Sequence, residues 1–276
     1  MIKNEQLLSL SHLTVLDATP LELIDAAVAG GFNSIGLRIV PPQPADVIFP
    51  VIGDEPLIRD ILTKMDDCGV GVLDTEAVWL AAHTRVAELE PAMELSARLG
   101  AHNMLVVGND DDEERQLDNY VRLCDLAAGY GLTAALEYIP YCRIGNLRQA
   151  QDLVRAANRP NAKVLIDALH VMRSGDGQAG LSALVPEYYA YCQLADFAGP
   201  RPESTELLRR EARTDRLYPG QGEAPLKEIL AAFSAGFPIG VEAPGLEYAQ
   251  LPVVERGRLC GEATRRFLGE YDGLAS

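Results

Sequence analysis

Eight short apolar runs are spaced along the chain, and each is followed by a segment in which a helix or a loop is expected. The predicted strands are Leu8–His12, Ser34–Arg38, Val70–Glu76, Asn103–Val107, Thr133–Glu137, Lys163–Asp167, Tyr189–Gln193 and Pro238–Glu242. Several of these runs are almost continuously apolar, which is typical of parallel strands buried on both faces. The alternation therefore favours a fold in which helices connect parallel strands.

The first predicted helix carries signals at both of its ends. Thr19 provides an N-cap, Pro20 suits the first helical position, Glu22 completes a capping box, and Gly30-Gly31 ends the helix. Further helices are predicted at Leu57–Cys68, Val86–Leu99, Glu113–Ala128, Leu147–Ala157, Pro225–Ala235 and Val254–Leu268. The sixth unit is weak, with Leu181–Val185 as its plausible helical turn.

Eight strands that alternate with helices predict an α/β fold, a single (β/α)₈ TIM barrel over residues 1–276. A doubly wound sheet is the main alternative. The sequence has neither a Gly-x-Gly-x-x-Gly motif after the first strand nor a phosphate-binding P-loop. The length of 276 residues is typical of such a barrel, and a hydrophobic share of 48% is enough for a large core.

Charge and cysteine usage exclude several classes of protein. A formal net charge of −16 argues against a surface for nucleic acid or for an anionic membrane, because both need clustered lysine and arginine. No apolar stretch approaches the ~18 residues of a transmembrane helix, and the N-terminal residues lack the layout of a signal peptide. The five cysteines are scattered and form no Cys-x-x-Cys pair, which indicates reduced thiols in a cytoplasmic protein.

Four oxygen-bearing residues stand at the ends of predicted strands: Glu137, Asp167, Gln193 and Glu242. In a TIM barrel these ends meet at the mouth where active sites lie. Three carboxylates in one place repel each other and raise each other's pKa, and a divalent cation removes that problem. The sequence therefore predicts a metal site with oxygen ligands, which favours Mn²⁺ or Mg²⁺, with Co²⁺ and Zn²⁺ as alternatives.

Two residues of the second half are candidates for contact with a substrate. His170 follows Asp167 by three residues, and its pKa near neutrality suits a general acid or base, although a lone histidine is often structural. Five arginines crowd the segment after the seventh strand. Because arginine forks bind carboxylate or phosphate, Arg213 is predicted to contact an anionic or hydroxylated substrate. A solvated turn with glutamate partners is the alternative, and it is the interpretation given to Arg209 and Arg210.

Strand ends of the first half supply His12, Arg38, Glu76 and Asn109, which a barrel would point toward the same mouth. We predict that His12, Arg38 and Glu76 contact substrate. Trp79 is the only tryptophan and is interpreted as a core residue, with stacking on a sugar face as the alternative.

These motifs resemble the sugar phosphate isomerase/epimerase superfamily, the xylose isomerase-like TIM barrels. The opening Leu-Ser-Leu-Ser-His and the helix that starts Thr-Pro-Leu-Glu resemble its first βα unit. Its metal-binding half is matched by Leu136-Glu137, Ile166-Asp167-Ala-Leu-His170, Gln193-Leu-Ala-Asp196, Tyr-Pro-Gly-Gln-Gly-Glu and Gly240-Val-Glu242. The resemblance implies that Glu137 and Glu242 are both metal ligands and acid/base groups, and that His170 contacts substrate.

The resemblance implies chemistry through an enolate or enediolate next to a ketone, and three functions follow from it. The favoured one is an isomerase or epimerase of a sugar- or polyol-derived ketone. Gln193 stands where many such enzymes have histidine and is similar to the Glu-Asp-Gln-Glu set of 3-dehydroshikimate dehydratases, so a lyase of that type is the alternative. A barrel that binds a ligand or a partner subunit without catalysis is the third. The expected partner is a small-molecule substrate, and a homo-oligomer is left open.

Overall fold

Eight parallel strands close into a barrel in the computed structural model, which describes residues 6–43, 45–175 and 186–271. The strands are β1 (Leu8–Ser11), β2 (Ser34–Arg38), β3 (Gly71–Leu80), β4 (Asn103–Gly108), β5 (Thr133–Glu137), β6 (Ala162–Asp167), β7 (Tyr189–Leu194) and β8 (Ile239–Val241). Each strand pairs with the next along the chain, and β8 pairs with β1. The predicted (β/α)₈ TIM barrel is confirmed, because a doubly wound sheet would remain open.

Helices follow the strands and surround the barrel. They are α1 (Pro20–Gly30), α2 (Glu55–Cys68), α3 (Glu90–Arg98), α4 (Glu113–Gly129), α5 (Leu147–Ala157), α6 (Ala168–Arg173), α7 (Thr205–Thr214), α8 (Leu226–Leu230) and α9 (Val253–Gly269). In the described part of the chain, no helix combines the length and apolar character that a membrane span requires.

The ends of α1 are formed by the residues that the sequence singles out. The Thr19 hydroxyl accepts a hydrogen bond from the backbone N–H of Glu22, and the Glu22 carboxylate accepts one from the backbone N–H of Thr19 at 2.9 Å. Gly31 adopts a left-handed conformation with φ of 69°, which glycine takes without strain. The capping box and the glycine stop are therefore confirmed.

The structure corrects two predicted boundaries. The helix predicted over Val86–Leu99 is divided into a 3₁₀ turn at Val86–Leu89 and the helix α3. Pro91 explains the division, because a proline lacks the N–H that a helix interior needs and is tolerated only in the first turn. The helix predicted over Pro225–Ala235 is limited to the five residues of α8.

Two helices near the barrel mouth were not predicted. The helix α6 begins directly after Asp167, whose side chain caps it by accepting a hydrogen bond from the backbone N–H of His170 at 3.0 Å. The arginine-rich segment forms the ten-residue helix α7, capped by Ser204, rather than a single turn. The turn predicted at Leu181–Val185 lies outside the described residues.

Side chains of the strands divide the core into an inner and an outer layer. Leu105, Ala135, Leu165 and Tyr191 pack with one another inside the barrel, whereas their neighbours along each strand pack against the helices. This two-residue alternation is the normal geometry of a strand. It decides which strand-end residues face the interior of the barrel.

Candidate metal centre

The predicted ligands lie on four adjacent strands. Glu137 is the last residue of β5, Asp167 is the last of β6, Gln193 is next to last in β7, and Glu242 follows β8. The strands β5 to β8 pair in sequence order, and Asp167 is level with Gln193. Their carboxyl ends therefore form one continuous arc of the barrel mouth.

The four ligand candidates have the inward orientation that a shared site requires. Glu137, Asp167 and Gln193 each lie two positions after a residue that packs inside the barrel, namely Ala135, Leu165 and Tyr191. All four candidates are at least 95% buried. Because every second residue of a strand faces the same side, these polar side chains point into an otherwise apolar interior.

Two groups of short contacts show how close these side chains are. One ligand atom each from Glu137, Asp167 and His170 lies within 4.8 Å of the others. The Gln193 amide Nε2 lies 3.4 Å from Glu242 Oε1. Three carboxylates, one amide and one imidazole therefore surround a common space.

Two buried oxygen atoms without a hydrogen-bond partner indicate whether these residues fit a metal ion. Glu137 Oε1 and Gln193 Oε1 are buried and have no hydrogen-bond partner. A buried oxygen without a partner normally costs about 1–3 kcal/mol, and coordination of a cation would remove that cost. The residues present therefore fit a divalent ion held by Glu137, Asp167, Gln193 and Glu242.

Arg216 is a part of this centre to which the sequence analysis assigned no role. Its side chain is 1% exposed, and its Nη1 donates a hydrogen bond to Asp167 Oδ2 at 2.6 Å. Its Nη2 lies 3.1 Å from Glu242 Oε2. The fully buried guanidinium therefore joins two of the predicted ligands.

The buried charges change the proton affinity of the three carboxyl groups. Burial and the negative charges of Glu242 and Asp167 raise the pKa of Glu137 well above its usual range. Burial raises the pKa of Glu242 to about 7, although Arg216 opposes the rise. Burial also acts to raise the pKa of Asp167, but Arg216 and His170 outweigh it and hold this pKa below its usual value. In the metal-free centre both glutamates therefore hold a proton more readily than an ordinary glutamate, while Asp167 stays ionised.

His170 lies beside the glutamate of β5. Its Nε2 is 3.7 Å from Glu137 Oε1, and its ring meets the edge of the Tyr141 ring. Burial lowers the pKa of His170 to about 4, so the imidazole is neutral at physiological pH. A neutral imidazole can donate or accept a hydrogen bond, and it can also coordinate a metal.

The predicted residues of the first half form a layer beneath the mouth. The Ser11 hydroxyl lies 2.8 Å from Glu76 Oε1 and 3.0 Å from Glu242 Oε1. Glu76 is fully buried and pairs with Arg38 at 3.3 Å. His12 donates from Nε2 to the Ala18 carbonyl and accepts at Nδ1 from the backbone N–H of Arg38. With both ring nitrogens engaged, His12 has the contacts of a structural residue.

A cavity of about 300 Å³ opens above the candidate ligands. Its walls include Arg38, Arg209, Arg213 and Arg216, together with Trp79, Asn109, Ile139, Tyr141 and His170. Arg209 lies 5.4 Å from the centre of the Tyr141 ring, so it is not the purely solvated residue that was expected. Arg213 is about half exposed, and its nearest acid, Asp46, is 3.8 Å away. Neither His12 nor Glu76 lines this cavity.

Known proteins share both the sequence pattern and the fold of this chain. Residues 24–258 match the family described as xylose isomerase-like TIM barrel. A segment of 148 residues, 51% of the chain, is 30% identical to 3-dehydroshikimate dehydratase of Pseudomonas aeruginosa. The matched segment is 23% of that relative, so the chain spans about a quarter of its length.

Solved structures agree with the family match. The IolI protein, solved with a zinc atom bound, has a TM-score of 0.75 at 20% identity, over 96% of this chain and 98% of that chain. D-allulose 3-epimerase from Methylomonas sp. has a TM-score of 0.68 at 16% identity, over 96% of this chain and 98% of that chain. At these identities the likeness shows the fold alone. Because the family match spans most of the sequence, the chain belongs to the xylose isomerase-like TIM barrel family.

Proposed function

We propose that this protein is a divalent-metal-dependent isomerase or epimerase that moves a proton on a carbon next to a ketone of a sugar- or polyol-derived substrate. One observation carries the proposal. Glu137 and Glu242 lie at the two ends of the arc of candidate ligands, both are buried, and both line the cavity. Two carboxyl groups that face one cavity from the two ends of such an arc can take a proton from a bound substrate and return one.

The ion would be held by Glu137, Asp167, Gln193 and Glu242. When bound, it would polarise a ketone oxygen of the substrate and so increase the acidity of the neighbouring C–H group. Oxygen ligands favour Mn²⁺ or Mg²⁺, whereas participation of the adjacent His170 nitrogen would favour Zn²⁺ or Co²⁺. The IolI protein, which is similar to this chain in fold, was solved with a zinc atom bound, and this supports the second option.

Each residue of the site is assigned either a proton-transfer step or a contact with the substrate. We assign removal of the proton to Glu242 and its return to Glu137, with the roles exchanged for the reverse reaction. Return to the opposite face of the same carbon gives epimerisation, and return to the adjacent carbon gives isomerisation. His170 would hold a substrate hydroxyl without carrying charge, and Arg38 would bind polar groups deeper in the cavity.

A lyase of the 3-dehydroshikimate dehydratase type is the second candidate. Arg209 and Arg213 of the cavity wall favour a substrate that carries a carboxylate, because arginine binds carboxylate through paired hydrogen bonds. The relative from Pseudomonas aeruginosa supports the same class. In this case Glu242 or Glu137 would remove the proton, and a hydroxyl group one carbon further away would leave as water.

Solvent deuterium exchange tests both candidates in one experiment. The metal-loaded protein would be incubated in D₂O with neutral hydroxyketones and, separately, with 3-dehydroshikimate, and the products identified by NMR. Both candidates predict metal-dependent loss of the proton next to the ketone. An epimer or isomer supports the first candidate, and a dehydrated product supports the second. Binding without exchange would contradict both and indicate a non-catalytic barrel.

We also propose that the protein works in a reducing compartment such as the cytoplasm. All five cysteines lie within the described residues and are free. Cys124, Cys192 and Cys260 are buried, and burial raises the pKa of each thiol, which keeps them unreactive. This usage is typical of proteins that form no structural disulfides.

A further inference from the structure

Arg216 is fixed at every nitrogen of its guanidinium. Its Nε donates to the Ala212 carbonyl at 2.7 Å, and its Nη1 donates to both Asp167 Oδ2 and the Glu242 carbonyl. Its Nη2 contacts Glu242 Oε2. A guanidinium with such a set of partners has one orientation, because its donors form a rigid planar fork.

The backbone on both sides of Arg216 is also fixed. Asp215 forms an antiparallel bridge with Gly245, and Leu217 forms one with Asp196. The backbone N–H of Arg216 itself donates to the Pro244 carbonyl at 3.0 Å. These contacts hold the arginine beside the loop that follows β8. The guanidinium is therefore held in the centre through both its side chain and its backbone.

The charges of the centre balance only when Arg216 is included. Glu137, Asp167 and Glu242 contribute −3 when ionised, and Gln193 is neutral. Arg216 contributes +1, which leaves −2, the charge that one divalent ion neutralises. Without the arginine, the same three ligands with a divalent ion would leave a net charge of −1 in the interior, where uncompensated charge is costly.

We propose that Arg216 is the charge-balancing residue of this metal centre and that it lowers the affinity of the centre for divalent ions. The inference rests on the proposed function, since it assumes that the four strand-end residues bind a metal. Its physical basis is that the fixed cation stabilises the metal-free carboxylates more than the metal-bound ones, because the ion has already neutralised most of their charge. The arginine thus makes the protein stable before the metal arrives and keeps the metal exchangeable.

The test compares metal-induced stabilisation in the wild type and in Arg216→Met. Methionine has a flexible apolar chain that can fill much of the space of the arginine stem, without the charge. Melting temperatures would be measured at pH 8 with a chelator and then with a series of free Mn²⁺ concentrations. We expect Arg216→Met to have a lower melting temperature without metal, and to bind Mn²⁺ at least about tenfold more tightly. At the same free Mn²⁺ this is about 1.4 kcal/mol of additional stabilisation.

Arg173→Met is the matched control. Arg173 is equally buried and makes a two-pronged pair with Glu211 at 2.9 and 2.6 Å, but it does not contact the candidate ligands. We expect this variant to lose stability with no change in its Mn²⁺ affinity. A gain in Mn²⁺ affinity equal to that of Arg216→Met would overturn the inference, because it would reflect general loss of stability.

The other outcomes are equally decisive. An unchanged or weaker Mn²⁺ affinity in Arg216→Met would overturn the inference and leave the arginine as a structural or ligand-orienting residue. A wild type that gains no stability from Mn²⁺ or Zn²⁺ would instead refute the metal centre itself. If Arg216→Met does not fold, Arg216→Lys replaces it, since lysine keeps the charge and loses the fork. Its Mn²⁺ affinity should stay within about threefold of the wild type, and a change above tenfold would show that geometry matters rather than charge.

Discussion

At the scale of single residues, three carboxyl groups in one cluster are given different proton affinities by their neighbours. Asp167 accepts from Arg216 and from the backbone N–H of His170, so it is held as an anion. Glu137 has an oxygen with no hydrogen-bond partner. Glu242 shares Arg216, but burial and the nearby acids Glu76 and Asp167 raise its pKa. The proposed function gives metal binding to all three and proton transfer to the two glutamates.

Replacing Glu242 by glutamine tests its assignment as a proton-transfer group. We expect Glu242→Gln to keep the fold and to lower turnover at least about 100-fold, the lower end for a general acid or base. The rate would be measured on the substrate found by deuterium exchange, with metal content determined in parallel. Glu247→Gln is the control, because Glu247 is exposed in the same loop. Near-normal turnover of Glu242→Gln with metal bound would mean that another residue is the base.

The raised pKa of Glu242 predicts how the stability of the metal-free protein depends on pH. The folded state holds the proton up to about pH 7, whereas the ordinary value is 4.5. At this group the unfolded state therefore binds fewer protons between these values, and the contribution of Glu242 to stability falls as pH rises through that window. Glu137 and Asp74 act in the same direction, since burial raises the pKa of both. Asp167 acts in the opposite direction, but below its ordinary value of 3.8. His170 and His12 also act in the opposite direction, up to their ordinary value of 6.5, because burial lowers the pKa of both.

Thermal unfolding with a chelator at pH 5, 6, 7 and 8 measures this dependence. We expect the melting temperature of Glu242→Gln, relative to that of the wild type at the same pH, to rise between pH 5 and 7, because the variant lacks the carboxyl group that loses its proton there. Bound metal should add more stability at higher pH, because ligands must be deprotonated to coordinate it. A difference between the two melting temperatures that stays constant from pH 5 to 7 would contradict the proton affinity assigned to Glu242.

At the scale of elements, the helix α7 has a polar, surface-like sequence, yet its arginines Arg209 and Arg213 line the cavity. Arg209 and Arg213 are four residues apart, so they share one side of α7. That spacing is a signal in the sequence for these two residues. Arg216 lies beyond the end of the helix, and only the packing of this segment on the barrel mouth shows that it is buried.

Substitution of Arg213 decides between neutral and anionic substrates. Arg213→Lys keeps the charge and loses the paired donors. Transition-state binding of a carboxylated substrate, measured through kcat/KM, should therefore weaken by about 1.5–3 kcal/mol, the range for hydrogen bonds to charged groups. A neutral substrate should show a smaller loss. Arg210→Ala on the same helix is the control, since its exposed side chain pairs with Asp215 outside the cavity wall. Equal, small losses on every substrate would remove Arg213 from the site.

Close packing of α1 against α9 predicts a strong effect of one added methyl group. A Cβ at Gly261 would lie 1.9 Å from the Gly30 carbonyl oxygen, which is far below contact distance. We expect Gly261→Ala to destabilise the protein by about 1–3 kcal/mol or more, as overpacking does. Gly269→Ala, at the exposed end of the same helix, meets no atom within 4 Å and should be neutral or slightly stabilising. Denaturant unfolding of both variants is the measurement, and equal stabilities would contradict the packing.

At the scale of the whole molecule, local signals in the sequence are sufficient to predict the barrel and to place the four candidate ligands at the ends of adjacent strands. Strand alternation and helix caps depend on neighbouring residues, so they can be read along the chain. Glu137, Asp167 and Gln193 were identifiable because each closes an apolar run. By contrast, the buried state of Arg216 and the structural contacts of His12 depend on which loops pack together, and no local pattern records that. The short helix α6 is hard to predict for a similar reason. Its N-cap, Asp167, is also the last residue of a strand, so no loop separates the two elements in the sequence.

Metal binding by the purified protein tests the central claim most directly. A calorimetric titration of chelator-treated protein with Mn²⁺, and a parallel one with Zn²⁺, would be compared with Glu137→Gln and Gln193→Leu. These two substitutions act on Glu137 Oε1 and Gln193 Oε1, which have no hydrogen-bond partner, and Gln193→Leu additionally removes the 3.4 Å contact between Gln193 Nε2 and Glu242 Oε1. We predict about one ion per wild-type chain and an affinity at least tenfold weaker in each variant, with Glu247→Gln unchanged. No stoichiometric binding by the wild type, or equal affinity in all four proteins, would contradict the account.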